Sequence, residues 1–200
     1  MSKPPQLQPG SYYHIYHRGN NREHIFREER NYRYFLDLYT RHIHPIADTF
    51  AYCLMRNHLH LLVRMKAAPP PDQQASKLFK PSQSFANLFN AYAKAINKAY
   101  GRSGSLFQER FGRIEVTTER YLSTLVVYIH RNPQKHGFVT HYSEWPWSSY
   151  HTLCGHQETK LDRASVLSWF GGQSQFIAFH HEVIDEQALS VFIDEDGDMG

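Results

Sequence analysis

The segment 54–65, LMRNHLHLLVRM, constrains the fold of this chain more than any other stretch. In an extended strand, side chains i and i+2 share a face, so His58 and His60 point one way while Leu59 and Leu61 point the other. Two histidine nitrogens on one face could share a metal ion. The pattern also fits two polar residues on the wet face of an amphipathic strand, and the spacing alone favours that simpler reading.

The remaining elements are predicted from periodicity and from turn residues. They are a strand over Tyr12–Arg18, a helix over 27–43, a strand over 49–55 that forms a hairpin with 58–65, a helix over 82–100 that starts at capping serines, a strand over 113–116, and a helix from the threonines 117–118 to just before Pro133. Beyond residue 141 only short helical pieces are indicated. The order strand, helix, hairpin, helix, strand, helix predicts an α+β fold, an antiparallel sheet with helices packed on it.

The composition bounds the class of protein. With 200 residues and 41% hydrophobic content, the chain can bury a core, and we expect one domain over 1–150 with an extension over 151–200. Cys53 and Cys154 stand far apart, which argues against a disulfide framework and a thiolate zinc site and favours a reducing cytoplasm. No run approaches the roughly 18 apolar residues of a membrane span, so no membrane partner is expected.

Charge is distributed unevenly along the chain. All 22 Lys and Arg lie in the first 163 residues against 12 acids, which leaves +10, whereas residues 164–200 carry seven acids and no base. A basic, aromatic-rich body favours a nucleic-acid partner, although solvated Lys and Arg give the same count. The acidic tail could be a solvated terminus or could fold over the basic face and compete with DNA.

The helix that ends near Pro133 places two polar groups side by side. Tyr128 and Asn132 lie four residues apart and share a face, while Leu122, Val126 and Ile129 form a neighbouring apolar stripe that can dock on the sheet. Taken singly, Tyr128 fits a half-buried packing residue and Asn132 fits a helix terminator. Their combination with the histidine pair favours a functional site.

If this helix face crosses over His58 and His60, two imidazole nitrogens and the Asn132 carboxamide oxygen form a three-ligand site suited to Mg²⁺ or Mn²⁺. The Tyr128 hydroxyl would then lie beside a bound phosphate. A phenol is a poor nucleophile near pH 7, because its unperturbed pKa is about 10, and a metal offsets this by withdrawing charge from the phosphate. The resulting phosphotyrosine would keep the phosphodiester energy.

Several segments together resemble the single-tyrosine HUH transposases. They are HRGNNREHIF, AYCLMRNHLHLLVRM, GSLFQERF, RYLSTLVVYIHRNPQKHGFV and WPWSSY, within residues 11 to 150. The sequence is most similar to the REP-associated tyrosine transposases, relatives of the small IS200-type transposases. The resemblance implies a ferredoxin-like sandwich with the histidines on a central strand, Tyr128 as nucleophile, and His58, His60 and Asn132 as metal ligands. Relatives often have Pro where this chain has Arg56.

The activity implied by the resemblance is metal-dependent cleavage of single-stranded DNA near a small hairpin, leaving a 5′-phosphotyrosine and a free 3′-hydroxyl. Two alternatives remain open. The protein could be a hairpin-binding regulator that kept the fold and lost the chemistry, or the metal could activate water for ordinary nuclease chemistry. A monomer and a homodimer are both compatible with the resemblance.

Donor-rich loops are the candidates for DNA recognition, because guanidinium groups bind phosphates and Asn side chains can read base edges. The residues are Arg18, Asn20, Asn21 and Arg22 after the first strand, Arg56 in the hairpin turn, and Arg102, Arg110 and Arg113 around GSLFQERF. Ordinary turn chemistry and solvated surface explain them as well. Phe107 and Phe111 could stack on unpaired bases or plug the core, and His130 and His136 are expected on the surface.

Overall fold

A computed structural model describes residues 5–67 and 80–182. The strands are β1 (Tyr12–Arg18), β2 (Ala47–Leu54), β3 (His58–Met65) and β4 (Gly112–Val116), and the helices are α1 (Glu29–His42), α2 (Pro81–Ala99), α3 (Glu119–Lys135), α4 (Tyr150–Cys154), α5 (Arg163–Phe170) and α6 (Gln173–His181). Single 3-10 turns cover Asn20–Arg22 and Tyr142–Glu144. The four strands form one antiparallel sheet in the order β2-β3-β1-β4. The predicted α+β class is confirmed.

The sheet is covered by helices on both faces, and β3 and β1 are its two inner strands. On the face of β1 that carries His17, the ring of Phe89 from α2 lies 4.5 Å from the imidazole. On the opposite face, the ring of Tyr128 from α3 lies 6.3 Å from that of His14. Helices α1 and α2 therefore cover one face and α3 crosses the other, which is the face of His60. None of the helices described within 5–67 and 80–182 combines the length and apolar character that a membrane crossing requires.

The predicted helix ends differ from the observed ones by one to three residues at most, and two of the differences involve proline. Helix α2 begins at Pro81 with Lys80 as N-cap, because proline has no N–H to lose in the first turn and its fixed φ suits that position. Helix α3 runs through Pro133 to Lys135. Proline φ is helical, so the cost near a helix end is one hydrogen bond, and Gln134 anchors the last turn by accepting a bond from the Tyr142 N–H at 3.1 Å.

The short C-terminal helices pack on the sheet and on α3. The Asp162 N–H donates to the Thr49 carbonyl of β2 at 2.9 Å, and the indole of Trp145 donates to the Leu54 carbonyl at 2.9 Å. The boundary at residue 150 stays a prediction. Of the seven acids predicted to form the tail, Glu182 is described, and the others lie outside the described residues.

Candidate active site

His58 and His60 lie on the sheet face that α3 crosses, and both side chains are buried. The ring centroids of His60 and Tyr128 are 5.8 Å apart in an edge-on arrangement. The three-ligand site required the helix that carries Tyr128 and Asn132 to cross this face, and the structure brings His60 and Tyr128 into ring contact. The apolar stripe that docks α3, Leu122, Val126 and Ile129, is fully buried.

Hydrogen bonds at Nδ1 orient both imidazole rings. His58 Nδ1 lies 2.7 Å from the Asn57 side-chain oxygen, and His60 Nδ1 lies 2.9 Å from His14 Nε2. The amide oxygen of Asn57 can only accept, so His58 carries its proton on Nδ1 and presents the lone pair of Nε2. Both Nε2 atoms are buried. A second residue that bonds Nδ1 in this way orients a metal-ligating histidine, and for His58 it also fixes the tautomer.

Asn132 is fully buried on α3, and its two amide atoms differ in their surroundings. Nδ2 donates to the Tyr128 main-chain carbonyl one turn earlier, at 3.0 Å. Oδ1 is buried and accepts no hydrogen bond from the residues in the described ranges. Burying a carbonyl oxygen without a hydrogen-bond donor costs about 1–3 kcal/mol of folding free energy. A cation bound to this oxygen would offset that cost.

The ring of Tyr128 lies close to the ammonium group of Lys135. Its side chain is only 3% exposed, and the ammonium of Lys135, two turns along α3, lies 5.3 Å from the ring centroid. A cation over an aromatic face is attracted by the ring quadrupole, and it also favours negative charge developing nearby. Tyr128 is therefore a buried packing residue, as considered above, and its ring also contacts that of His60.

The three side chains predicted as metal ligands offer two imidazoles and one amide oxygen. Within residues 5–67 and 80–182, no three His, Cys, Asp or Glu side chains converge as a metal-binding group. Imidazole together with a hard oxygen ligand favours Mn²⁺ or Mg²⁺, whereas thiolate ligands favour softer metals. The residues His58, His60 and Asn132 therefore fit the predicted kind of metal.

Two further histidines border the site. His14 on β1 bonds His60, and the ring centroid of His136, which follows α3, lies 4.7 Å from that of His58. His14 was not among the predicted site residues, although its position two residues before Tyr16 places both on the face that also carries His60. The Tyr16 ring is held against Gly112, where an added Cβ would lie 1.9 Å from Tyr16 Cζ.

His130 is the buried exception among the histidines near Tyr128. It was expected on the surface, but it is fully buried and lies 2.7 Å from Ser149 Oγ and 2.8 Å from His180 Nε2. His180 Nδ1 in turn lies 2.7 Å from the Phe176 carbonyl. Burial lowers the pKa of His180 to about 4 and also lowers that of His130. The cluster ties α6 and the segment before α4 to α3.

The predicted recognition loops meet at Gly19. Its N–H donates to the Asn57 carbonyl at 2.7 Å, and it forms a β-bridge with Phe107. The Gln108 N–H donates to the Arg18 carbonyl at 3.0 Å. A Cβ at Gly19 would lie 2.2 Å from the Glu23 carbonyl oxygen, so the close approach requires glycine. All three loops therefore gather at the end of the sheet where Arg18 pairs with His58.

The eight residues predicted to bind DNA differ in their surroundings. Asn21, Arg22, Arg56 and Arg110 are exposed, and Arg18, Asn20, Arg102 and Arg113 are partly buried. Arg102 pairs with Glu23 and donates to Asn97 Oδ1 at 2.7 Å. Arg113 donates to Ser82 Oγ at 2.7 Å. Arg102 thus joins the two loops, and the exposed set is placed best to contact a ligand.

Comparison with known proteins gives concordant results. A curated relative from Haemophilus influenzae (strain ATCC 51907 / DSM 11121 / KW20 / Rd), named as a REP-associated tyrosine transposase, is 31% identical over 107 residues, which are 52% of this chain and 59% of that protein. The chain thus matches less than two thirds of that relative's length.

The fold is similar to a solved structure of a REP-associated tyrosine transposase bound to a REP hairpin. The TM-score is 0.56 at 18% identity, over 76% of this chain and 83% of that one. The family model described as "Transposase IS200 like" matches residues 8–132, a range that contains His58, His60, Tyr128 and Asn132. The chain belongs to the IS200-like transposase family.

Proposed function

We propose that this protein cuts and rejoins single-stranded DNA beside a hairpin, with Tyr128 as nucleophile. The observation that carries the proposal is the 5.8 Å ring contact between Tyr128 and His60. Asn132, one turn after Tyr128 on α3, adds a buried Oδ1 that accepts no hydrogen bond from the described residues. The relative and the solved structure, both named as REP-associated tyrosine transposases, support a REP-type hairpin as the DNA.

In this reaction the Tyr128 hydroxyl oxygen attacks the scissile phosphorus and loses its proton. A tyrosine–phosphate ester bond forms, the bond from phosphorus to the 3′ oxygen breaks, and that oxygen takes up a proton as a free 3′-hydroxyl. Attack by a 3′-hydroxyl on the phosphotyrosine reverses the step and joins strands without ATP. The side-chain nitrogen of Lys135 lies 5.3 Å from the centroid of the attacking ring.

His58, His60 and Asn132 would hold the divalent metal, Mg²⁺ or Mn²⁺. When bound, it would withdraw charge from the scissile phosphate and position the ester. Asn57 and His14 hold the two imidazoles by hydrogen bonds at Nδ1, and the Asn57 oxygen fixes the His58 tautomer that presents Nε2. The helix α3 keeps Tyr128 and Asn132 in fixed relation, because they are one turn apart and joined by a hydrogen bond.

The partner DNA would lie across the end of the sheet where the three loops meet. Arg18, Arg22, Arg56 and Arg110 supply positive charge there, and Asn20 and Asn21 supply amides. One chain contributes the nucleophile and both histidines, which supports a monomer as the working unit, with a homodimer as the alternative. The free thiols of Cys53 and Cys154 fit the reducing cytoplasm predicted from the sequence.

The test is a covalent-adduct assay. Labelled single-stranded REP-type hairpins, including those from DNA flanking its own gene, are incubated with Mn²⁺ or Mg²⁺ and separated on a denaturing gel. We expect an adduct with the wild-type protein and none with Tyr128→Phe or His58→Ala. Tyr34→Phe, which removes an exposed tyrosine hydroxyl from α1, is the matched control and should keep the adduct.

Each other outcome selects an alternative. Hairpin binding without an adduct, with folded protein and either metal, would favour the regulator. Cleavage that persists in Tyr128→Phe and leaves free 5′-phosphates would make water the nucleophile.

A further inference from the structure

A second concave site lies on the opposite face of the sheet from the histidine pair. A cavity of about 630 Å³ opens between α2 and the segment 104–113. Its size falls within the roughly 300–1,000 Å³ of pockets that bind small organic molecules. Its α2 wall is built around Ala86 and Ala93, two small residues two turns apart, and Phe111 contributes a half-buried ring.

His17 lines this cavity and has an unsatisfied atom. The side chain is 6% exposed, its Nε2 lies 3.1 Å from the Gln108 carbonyl, and its Nδ1 is buried with no hydrogen bond to the described part of the chain. A carbonyl accepts, so Nε2 carries the proton, and burial lowers the pKa of His17 to about 4. The ring is neutral at pH 7, and Nδ1 is an acceptor that needs a donor.

Arg113 lines the same cavity and adds an unsatisfied donor. Its Nη1 is used by Ser82, but its Nε is buried and makes no hydrogen bond within the described ranges. Its guanidinium lies 5.1 Å from the Phe111 ring centroid. The exposed side chains of Lys94 and Arg110 lie at the lining together with that of Glu109, whose carboxylate lies 3.7 Å from Arg110, so the rim carries a net positive charge.

A planar heterocycle whose edge carries a donor and an acceptor complements these walls, and phosphates attached to it complement the rim. We propose that the cavity binds one unpaired nucleobase of the DNA substrate, an inference that rests on the proposed DNA function. An amino or imino N–H of the base donates to His17 Nδ1, a ring or carbonyl acceptor faces Arg113 Nε, and Phe111 offers a stacking surface.

The position of the cavity allows one DNA strand to contact both the cavity and the site that contains Tyr128. Gln108 bonds Arg18 at the end of β1, and Arg18 pairs with His58 across the sheet. The cavity and the histidine pair therefore lie at the same end of the sheet, on opposite faces of β1. A DNA strand that passes over Arg18 runs from the cavity on one face to the face that carries Tyr128.

The experiment combines cavity filling with abasic scanning. Hairpins of the REP type are made with each unpaired nucleotide replaced in turn by an abasic analogue, and binding is measured by fluorescence anisotropy in EDTA so that no strand is cut. In the wild type we expect one position at which the missing base weakens binding roughly tenfold. Ala93→Phe should bind the intact hairpin roughly tenfold more weakly and lose no further affinity at that position.

Ala95→Phe is the matched control, since Ala95 lies on the same helix outside the lining. It should keep wild-type affinity and the full tenfold effect. Ala86→Phe fills the cavity from another position and protects the test if Ala93→Phe does not fold.

Equal abasic effects in the wild type and in both filled variants would overturn the nucleobase site and leave the adduct assay untouched. If Ala93→Phe abolishes the abasic effect but no adduct forms with the wild-type protein, the nucleobase site stands and the strand-transfer chemistry is rejected. A wild-type protein that binds no hairpin would overturn both proposals.

Discussion

His14 Nε2 lies 2.9 Å from His60 Nδ1, across the pairing of β1 with β3. Both rings are buried, and the contact joins a proposed metal ligand to a residue on the neighbouring strand. A ligand held in this way keeps its orientation before the metal arrives. The contact therefore makes His14 a positioning residue, whose effect is expected on metal affinity first.

Replacing His14 by Phe tests that role. The ring volume is retained, but His60 Nδ1 loses its partner, so we expect Mn²⁺ affinity to fall about 10–100-fold. Calorimetric titration with Mn²⁺ measures the effect directly, and His24→Phe, at an exposed position, is the control. Wild-type affinity in His14→Phe would show that His60 needs no orienting partner.

Asn132→Leu is expected to separate stability from function. The variant removes a buried oxygen that accepts no hydrogen bond in the described structure, so the free energy of unfolding should stay within about 1 kcal/mol of wild type or increase. The DNA adduct should disappear and Mn²⁺ affinity should fall at least about tenfold. Urea unfolding, with Asn87→Leu as an exposed control, measures the first effect. A loss of more than about 2 kcal/mol would mean that the amide has a structural role.

Gly112→Ala should disturb the site through Tyr16. The new Cβ would meet the Tyr16 ring at 1.9 Å, so the ring must turn away from Gly112, at an expected cost of about 1–3 kcal/mol. The double variant Gly112→Ala/Tyr16→Ala should lose less stability than the sum of the single variants, because the clash is gone. Thermal unfolding of the four proteins gives the coupling, and strict additivity would contradict the contact.

Stability is expected to fall as the solution becomes acidic. Burial lowers the pKa of His180 to about 4, whereas an unfolded histidine titrates near 6.5. Below pH 6.5 the unfolded chain takes up a proton that the folded chain does not hold until about pH 4. The free energy of unfolding should therefore be flat above pH 7 and fall by about 2 kcal/mol for this ring between pH 7.5 and 5.

Urea titrations at the two pH values measure the slope. His180→Phe should be less stable at pH 7.5, because His130 loses a partner, and should show a shallower fall toward pH 5. An equal fall in the variant would assign the slope to other groups.

Local sequence patterns predicted most of the elements. The aromatic and branched run Tyr12–Arg18 before GNN predicted β1 with its observed bounds, and the hairpin around Arg56 and Asn57 formed as expected. Two of the differences in helix ends involve proline, whose effect depends on how near the helix terminus it lies. Pro133 was predicted to end α3, and α2 was predicted to begin at the serines that follow Pro81.

The partners of the histidines could not be predicted in the same way. His14 reaches His60 only after β1 has paired with β3 in the observed register, a contact 46 residues apart along the chain. His130 finds Ser149 and His180 through the packing of the C-terminal helices. Such contacts depend on tertiary register, which no local periodicity encodes. The convergence of Tyr128 with His60 was predictable because a family resemblance carried the register with it.

The junction at Gly19 has an evolutionary consequence. The three loops are joined there by main-chain N–H and carbonyl groups, which every residue except proline supplies in full. Side chains such as Asn21, Arg22 and Arg110 can therefore be exchanged while the frame that presents them stays intact. Descendants of this protein can therefore come to recognise a different repeat sequence by single substitutions of these exposed residues, provided that Gly19 is retained.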